Sequence, residues 1–190
     1  MALPPPYPSV QQMIAAGIDK ASRATGVIEY EHHEIHAGSH YEVVDAVDLA
    51  INNVRDIQIT TPNTTKWAHF VFSLHCENET EWYLYENVTI NTAGTSVTPK
   101  NNNRNSTNTS GLTVATIDNT SVANANADTA VAGATEIEHG IVAAKRQSTG
   151  AAERTREIIL KQNEDYTLRI IATAAGFTSY DLEWYEHTNK

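Results

Sequence analysis

From Trp67 to Cys76 the chain alternates without a break, with Ala68, Phe70, Phe72, Leu74 and Cys76 on one parity and Trp67, His69, Val71, Ser73 and His75 on the other. Side chains along a strand point to opposite faces in turn, so one face of this segment is wholly apolar and needs a second layer to cover it. A helix of the same residues scatters those side chains around its circumference. The habit recurs: Trp82, Leu84, Val88 and Ile90 alternate with Tyr83, Tyr85, Asn87 and Thr89, and Glu86 interrupts the apolar face. The polar residues Glu77 to Thr80 between the two runs predict a hairpin. In the last third Ile158 and Leu160, then Tyr166, Leu168, Ile170 and Ala172, then Tyr180, Leu182 and Trp184 take inward positions, with turns at Asn163 to Asp165 and at Ala175 and Gly176. Residues 27–36, 41–49 and 57–61 read as further strands. The expectation is a mainly β chain, a β-sandwich or jelly roll of about eight to ten strands.

The first residues are of another kind. Pro4, Pro5, Pro6 and Pro8 around Tyr7 fix an extended, polyproline-like arm that cannot donate ladder hydrogen bonds. From Ser9 onward Val10, Met13, Ile14, Gly17, Ile18 and Ala21 fall on one helical stripe, while Gln12, Asp19 and Arg23 face away. With Ser9 as N-cap and Gly26 as stop, this predicts one short amphipathic helix of about fifteen residues, about 22 Å long. The organisation expected is therefore an arm and helix over residues 1–26 and a sandwich domain over 27–190.

Within that domain, residues 91–150 are crowded with Asn, Thr, Ser, Ala and Gly and hold no aromatic side chain. They read as a long excursion, with one or two peripheral strands at Leu112, Val114 and Thr116 and at Ile137 and Ile141. The run Asn101, Asn102, Asn103, Arg104 and Asn105 cannot alternate, and asparagine favours turns because its side chain bonds its own backbone. Long loops on compact domains carry contacts. This run, together with Pro5, Tyr7, Val10, Met13 and Ile14 of the arm and helix, makes the candidate binding surface for a larger protein partner or a neighbouring subunit.

Composition narrows the function. At 190 residues, 41% of them hydrophobic, the chain supports one sizeable core, and its single Cys76 closes no intramolecular disulfide. The net charge of −10, from 23 acidic against 13 basic residues, has the wrong sign for neutralising phosphates, so no nucleic-acid partner is expected. Residues 1–10 carry no basic and apolar leader and no long apolar run occurs elsewhere, so neither a signal peptide nor a membrane partner is expected. The glycosylation triplets beginning at Asn63, Asn78, Asn87, Asn105, Asn108 and Asn119 then follow from an Asn- and Thr-rich composition.

The cluster Glu31, His32, His33, Glu34, His36 and His40 has the residue types of a zinc or iron site. On a strand, however, His32, Glu34 and His36 face one side and Glu31, His33 and Ile35 the other, and the spacing is not that of cupin metal sites. We read these as exposed strand residues with a pH response and expect no metal. A metal-dependent jelly-roll enzyme built on His33, His36 and His40 is the reading that a bound ion would favour. Cys76 sits on an apolar face and behaves as an inert hydrophobe. Neither a GxSxG elbow nor a phosphate-binding glycine loop is present, and the carboxylate pairs Glu29 with Glu31 and Glu183 with Glu186 have no spacing that fixes a glycosidase geometry. No catalytic residue and no cofactor is expected. Trp67, Tyr83 and Tyr85, on the less apolar parity of their strands, read either as side chains packed in the core or under the helix or as a cover for a second layer or a neighbouring chain.

Three stretches carry a family resemblance: Ile59-Thr-Thr-Pro-Asn-Thr-Thr-Lys-Trp-Ala-His-Phe; Leu84-Tyr-Glu with Gly94-Thr-Ser-Val-Thr-Pro-Lys-Asn-Asn-Asn-Arg-Asn-Ser; and Leu160-Lys-Gln-Asn through Leu182-Glu-Trp-Tyr-Glu-His. Over roughly residues 34–187 the chain resembles a family of tailed-bacteriophage structural proteins, some of them similar to head decoration (cement) proteins. The resemblance implies a non-enzymatic virion component on the outer capsid surface, made in the host bacterial cytoplasm. Its implied partner is the major capsid protein and its implied assembly a homotrimer. The alternative from the residues is a carbohydrate- or receptor-binding module of a phage fibre, since sandwiches present loops and aromatics to sugars.

Overall fold

A computed structural model describes residues 30–143, 146–148 and 157–188. The proline-rich arm and the helix expected from Ser9 lie outside the described residues. The chain divides into a unit of Met1–His33 and a unit of Glu34–Lys190, and the sandwich belongs to the second. In chain order the elements are α1 (Tyr30–Ala37), β1 (His40–Leu49), β2 (Val54–Thr60), β3 (Lys66–Cys76), β4 (Thr80–Glu86), β5 (Thr89–Ile90), β6 (Thr95–Val97), β7 (Lys100–Asn101) and β8 (Thr113–Asn119). Then come α2 (Val122–Asp128), β9 (Thr129–Ala130), β10 (Thr135–Val142), β11 (Arg146–Ser148), β12 (Ile158–Leu160), β13 (Asp165–Ala172) and β14 (Gly176–Thr188). Eight of these strands are seven residues or longer; the other six are two- or three-residue pairings, which is why the described total exceeds the number expected.

The fold is a β-sandwich. One sheet runs β11-β3-β14-β1-β7, with β12 also on β3, and the other runs β10-β4-β13-β2-β8-β6. A small β5-β9 ladder stands apart from both. The thirteen-residue β14 is the spine of the first sheet, paired antiparallel with β1 from Leu49↔Gly176 to His40↔Tyr185 and with β3 from Cys76↔Thr178 to Lys66↔Thr188. The core lies between the sheets: Phe70, Phe72, Leu74, Leu182 and Trp184 of the first meet Ile57, Ile59, Leu84, Leu168 and Ile170 of the second. Phe72 packs edge-on against Trp82 of the opposite sheet, centroids 5.1 Å apart at 78°. A Cβ on Gly140 of β10 would lie 2.8 Å from the Trp82 ring, so glycine there makes room for the indole.

Two expectations are corrected. The runs at Trp67 and Trp82 do not form a hairpin: β3 and β4 belong to different sheets, and the chain between them carries one over to the other. Alternation marks which side chains face a core but not from which side of it, and both strands present their apolar face to the same interior. The strand expected over 27–36 is not formed by its described part either: residues 30–36 belong to α1. Ile35 is its one β-branched residue after Ile28, and Gly38 (φ 71°) ends the helix in a Schellman motif. In it the Gly38 N–H donates to Ile35 O and the Ser39 N–H to Glu34 O, each at 3.0 Å.

Residues 91–150, read as an excursion, contribute strands to both sheets and an unanticipated helix, α2, capped by the Ser121 hydroxyl on the Asn124 N–H at 3.3 Å. The segment α2–β9 lies against the outer face of the second sheet, which explains why β2 is buried on both faces. Asp56 accepts two bonds from Arg169, Nε at 2.7 Å and Nη2 at 2.8 Å, and the same guanidinium donates to Asn126 Oδ1 at 2.5 Å and Thr129 O at 2.9 Å. Gln58 donates to Thr92 O and Thr129 Oγ1, both at 2.9 Å, and accepts from the Gly94 N–H. Small polar residues that look loop-like in sequence thus satisfy a buried polar stripe.

Tyr41, Tyr166 and Tyr180 are at most 1% exposed. Burial pushes the Tyr41 phenol up to about 12, with Glu186 adding to it, and burial likewise raises Tyr166 and Tyr180. An unfolded tyrosine titrates near pH 10. Above that pH the unfolded chain loses protons that the native protein keeps, so stability is complete below about pH 10 and falls by about 1.4 kcal/mol per pH unit per tyrosine as pH rises. Tyrosinate absorbance for these residues is expected to appear together with loss of the β circular-dichroism signal. Full tyrosine ionisation near pH 10 in a folded chain contradicts this.

Candidate functional site

The candidate contact surface is the asparagine-rich loop from β7 to the start of β8. It begins in register with β1, at Tyr41↔Asn101, and its own amides then lock it. The Asn101 side chain is buried and donates to Gly38 O at 2.9 Å and Asn108 O at 3.2 Å, while its Oδ1 accepts from the Asn103 N–H at 2.9 Å. Asn103 repeats the turn one step on: its Oδ1 accepts from the Asn105 N–H at 3.1 Å and its Nδ2 donates to His36 O at 3.1 Å. Such Asx turns are the reason a run of asparagines holds one shape. The Asn102 N–H donates to His40 O at 3.0 Å, and Asn108 Nδ2 donates to Gly38 O at 3.0 Å.

The far end of the loop is held by a buried carboxylate. Glu186, 4% exposed, accepts from the Ser110 hydroxyl at 2.7 Å and the Gly111 N–H at 2.9 Å. It also accepts from Trp184 Nε1 at 3.1 Å and the Leu112 N–H at 3.3 Å. In the middle, the Tyr41 hydroxyl donates to Thr109 O at 3.1 Å. Of the five residues singled out in sequence, Arg104 and Asn105 are exposed, Asn102 and Asn103 half-buried, and Asn101 is buried as the loop's anchor. Pro5, Tyr7, Val10, Met13 and Ile14 lie outside the described residues. Sequence reasoning weighed Glu186 only as a partner of Glu183 and missed its role as loop anchor, because a carboxylate at the end of a strand looks like an exposed charge; Gly111 and Ser110, small residues that leave their N–H and hydroxyl accessible, were the available signal.

The histidine cluster takes a different form from the one expected. Because α1 is a helix, the strand parity does not apply: Glu34 is buried and bonded to the Ser39 hydroxyl, while His32, His33 and His36 are exposed. His40 opens β1, buried, with Nε2 4.0 Å from Glu183. Glu183 and Glu186 differ by an odd number of residues along β14 and so project from opposite faces, which separates that carboxylate pair. Cys76 is buried in the core.

A second surface lies on the outer side of the second sheet. Tyr83 and Tyr85 stack with centroids 5.8 Å apart and planes within 11°, and His139 lies 5.9 Å from Tyr83. The Tyr83 hydroxyl donates to Glu81 at 3.2 Å, and His139 Nδ1 meets Glu136 at 2.6 Å. Partial burial, aided by Glu81 at Tyr83 and by Glu136 at both rings, holds the two phenols above the usual tyrosine value. No protein-family model matches the chain, and no curated protein matches it.

Proposed function

We propose that this chain is a non-enzymatic virion structural protein that binds the outside of a bacteriophage capsid and stabilises it. Its partner on this reading is the major capsid protein, its assembly a homotrimer, and its site of synthesis the host bacterial cytoplasm. The resemblance of the three sequence stretches supports the reading. The observation that carries it is the loop: its shape is fixed by internal hydrogen bonds while Arg104, Asn105, Thr107 and Asn108 stay exposed. A surface ordered before contact loses little conformational entropy on docking, which suits repeated binding to a rigid lattice. The net charge of −10 also disfavours adsorption to a packaged genome. A protein that binds only the assembled shell raises shell stability by mass action, about 2.7 kcal/mol per site at a hundredfold excess over Kd.

The test is sedimentation of purified protein with decoration-free heads. The full chain is expected to co-sediment, the Arg104→Ala/Asn105→Ala double variant to bind roughly tenfold more weakly with unchanged Tm, and a chain lacking residues 1–26 to lose affinity while staying folded. No co-sedimentation of the full chain contradicts the proposal, and equal binding by both variants contradicts the surface assigned. A second reading, a carbohydrate- or receptor-binding module of a fibre, is favoured by the stacked Tyr83–Tyr85 pair. A glycan array separates the two: specific signal lost in Tyr85→Ala supports the sugar reading.

A further inference from the structure

On the outer face of the first sheet, His69 of β3 and His187 of β14 are diagonal neighbours, since His69 pairs with Tyr185 and Trp67 with His187. Their Nε2 atoms face each other at 2.7 Å, with ring centroids 4.5 Å apart. The opposite nitrogens are committed elsewhere. His69 Nδ1 is bonded to the Glu157 carboxylate just before β12, and the Tyr185 hydroxyl, stacked on His69 at 4.5 Å, lies 3.1 Å from that nitrogen and donates to the same carboxylate at 3.0 Å. His187 Nδ1 lies 3.2 Å from Thr188 O.

Carboxylates and carbonyls only accept, so the tautomer that these contacts favour carries its hydrogen on Nδ1 of each ring. In neutral imidazoles that leaves both Nε2 lone pairs aimed at one point. Two lone pairs at 2.7 Å repel unless a cation lies between them. A carboxylate fixing the far nitrogen of a histidine is also the arrangement that orients imidazole ligands around a metal.

We propose that His69 and His187 form a binding site for a divalent transition-metal ion of the zinc class, with Glu157 and Tyr185 as the groups that position His69. Imidazole pairs select zinc, copper or nickel over magnesium or calcium, which require oxygen ligands. At the usual zinc–nitrogen distance and a tetrahedral angle the two nitrogens stand roughly 3.3 Å apart, which a small rotation of the half-exposed His187 supplies.

The experiment is calorimetric titration of the chelator-washed full chain with zinc chloride, repeated with magnesium chloride. One zinc per chain is expected, no magnesium binding, and a rise in Tm with zinc. His187→Ala, at a half-exposed position near the end of β14, is expected to remove that binding while leaving the apo Tm within about 1 °C. Glu157→Gln is expected to weaken it roughly 10–100-fold. A His33→Ala/His36→Ala control, at exposed positions of α1, should bind as the parent does. Absence of zinc binding means the pair shares only a proton and overturns the proposal, as does undiminished binding by His187→Ala.

Discussion

Asp56→Ala is expected to destabilise the protein by about 3–5 kcal/mol, the cost of stranding one member of a buried ion pair. Arg169 is 2% exposed and Asp56 fully buried, and the guanidinium is always charged, so removing the carboxylate leaves a cation in the interior. Burial pushes the Asp56 carboxyl above its ordinary value and the Arg169 guanidinium opposes that push, so the pair stands because each partner is present. The loss spreads beyond the pair, because Arg169 also holds Asn126 of α2 and Thr129 of β9 against the sheet. In urea, the midpoint should fall with little change in slope. The double replacement Asp56→Leu/Arg169→Met removes both charges and is expected to recover most of the loss. A cost below about 1 kcal/mol for Asp56→Ala contradicts the role assigned to the pair.

Glu186→Ala is the second large effect, expected at about 2–3 kcal/mol. Four donors lose Glu186 together: the Ser110 hydroxyl, the Gly111 and Leu112 N–H groups and Trp184 Nε1. Ser110 Oγ still accepts from the Leu112 N–H and Trp184 Nε1, and the Ser110 hydroxyl can turn to Leu112 O, so the Gly111 N–H is the donor most fully stranded. Each buried donor left unmade costs about 1–3 kcal/mol, offset where water enters. Glu186→Gln should lie between, since it keeps an acceptor oxygen but turns an amino group toward donors. Because Glu186 fixes the far end of the asparagine loop, Glu186→Ala should also raise hydrogen exchange at Gly111 and Leu112 without touching exchange in β13. Exchange unchanged at those amides contradicts the anchor.

The body of the sandwich was legible because its long strands obey period two: Ala68, Phe70, Phe72, Leu74 and Cys76 are all buried, as are Tyr166, Leu168, Ile170, Tyr180, Leu182 and Trp184. What periodicity does not encode is which sheet a strand joins, hence the mistaken hairpin between β3 and β4. Asp56, Gln58 and Arg169 were illegible for a related reason: a polar residue on the outer face of a strand looks solvent-exposed until another segment covers it. That segment, α2–β9, is built of Ala, Asn, Asp and Thr, whose short side chains give little hydrophobic signal but satisfy buried donors and acceptors. At the loop, the asparagine run was recognisable as a turn former, but its division into an anchor, Asn101, and presenting residues, Arg104 and Asn105, depends on Gly38 and Glu186, far away in sequence. The His69–His187 pair joins residues 118 apart, and only the β3–β14 register brings them together.

The most direct test of the central proposal is cryo-electron microscopy of the intact virion. The account predicts density for this two-sheet body on the outer face of the capsid shell, with the Asn101–Asn105 loop against the major capsid protein. A shell free of that density, or the same body found at the tip of a tail fibre, contradicts it.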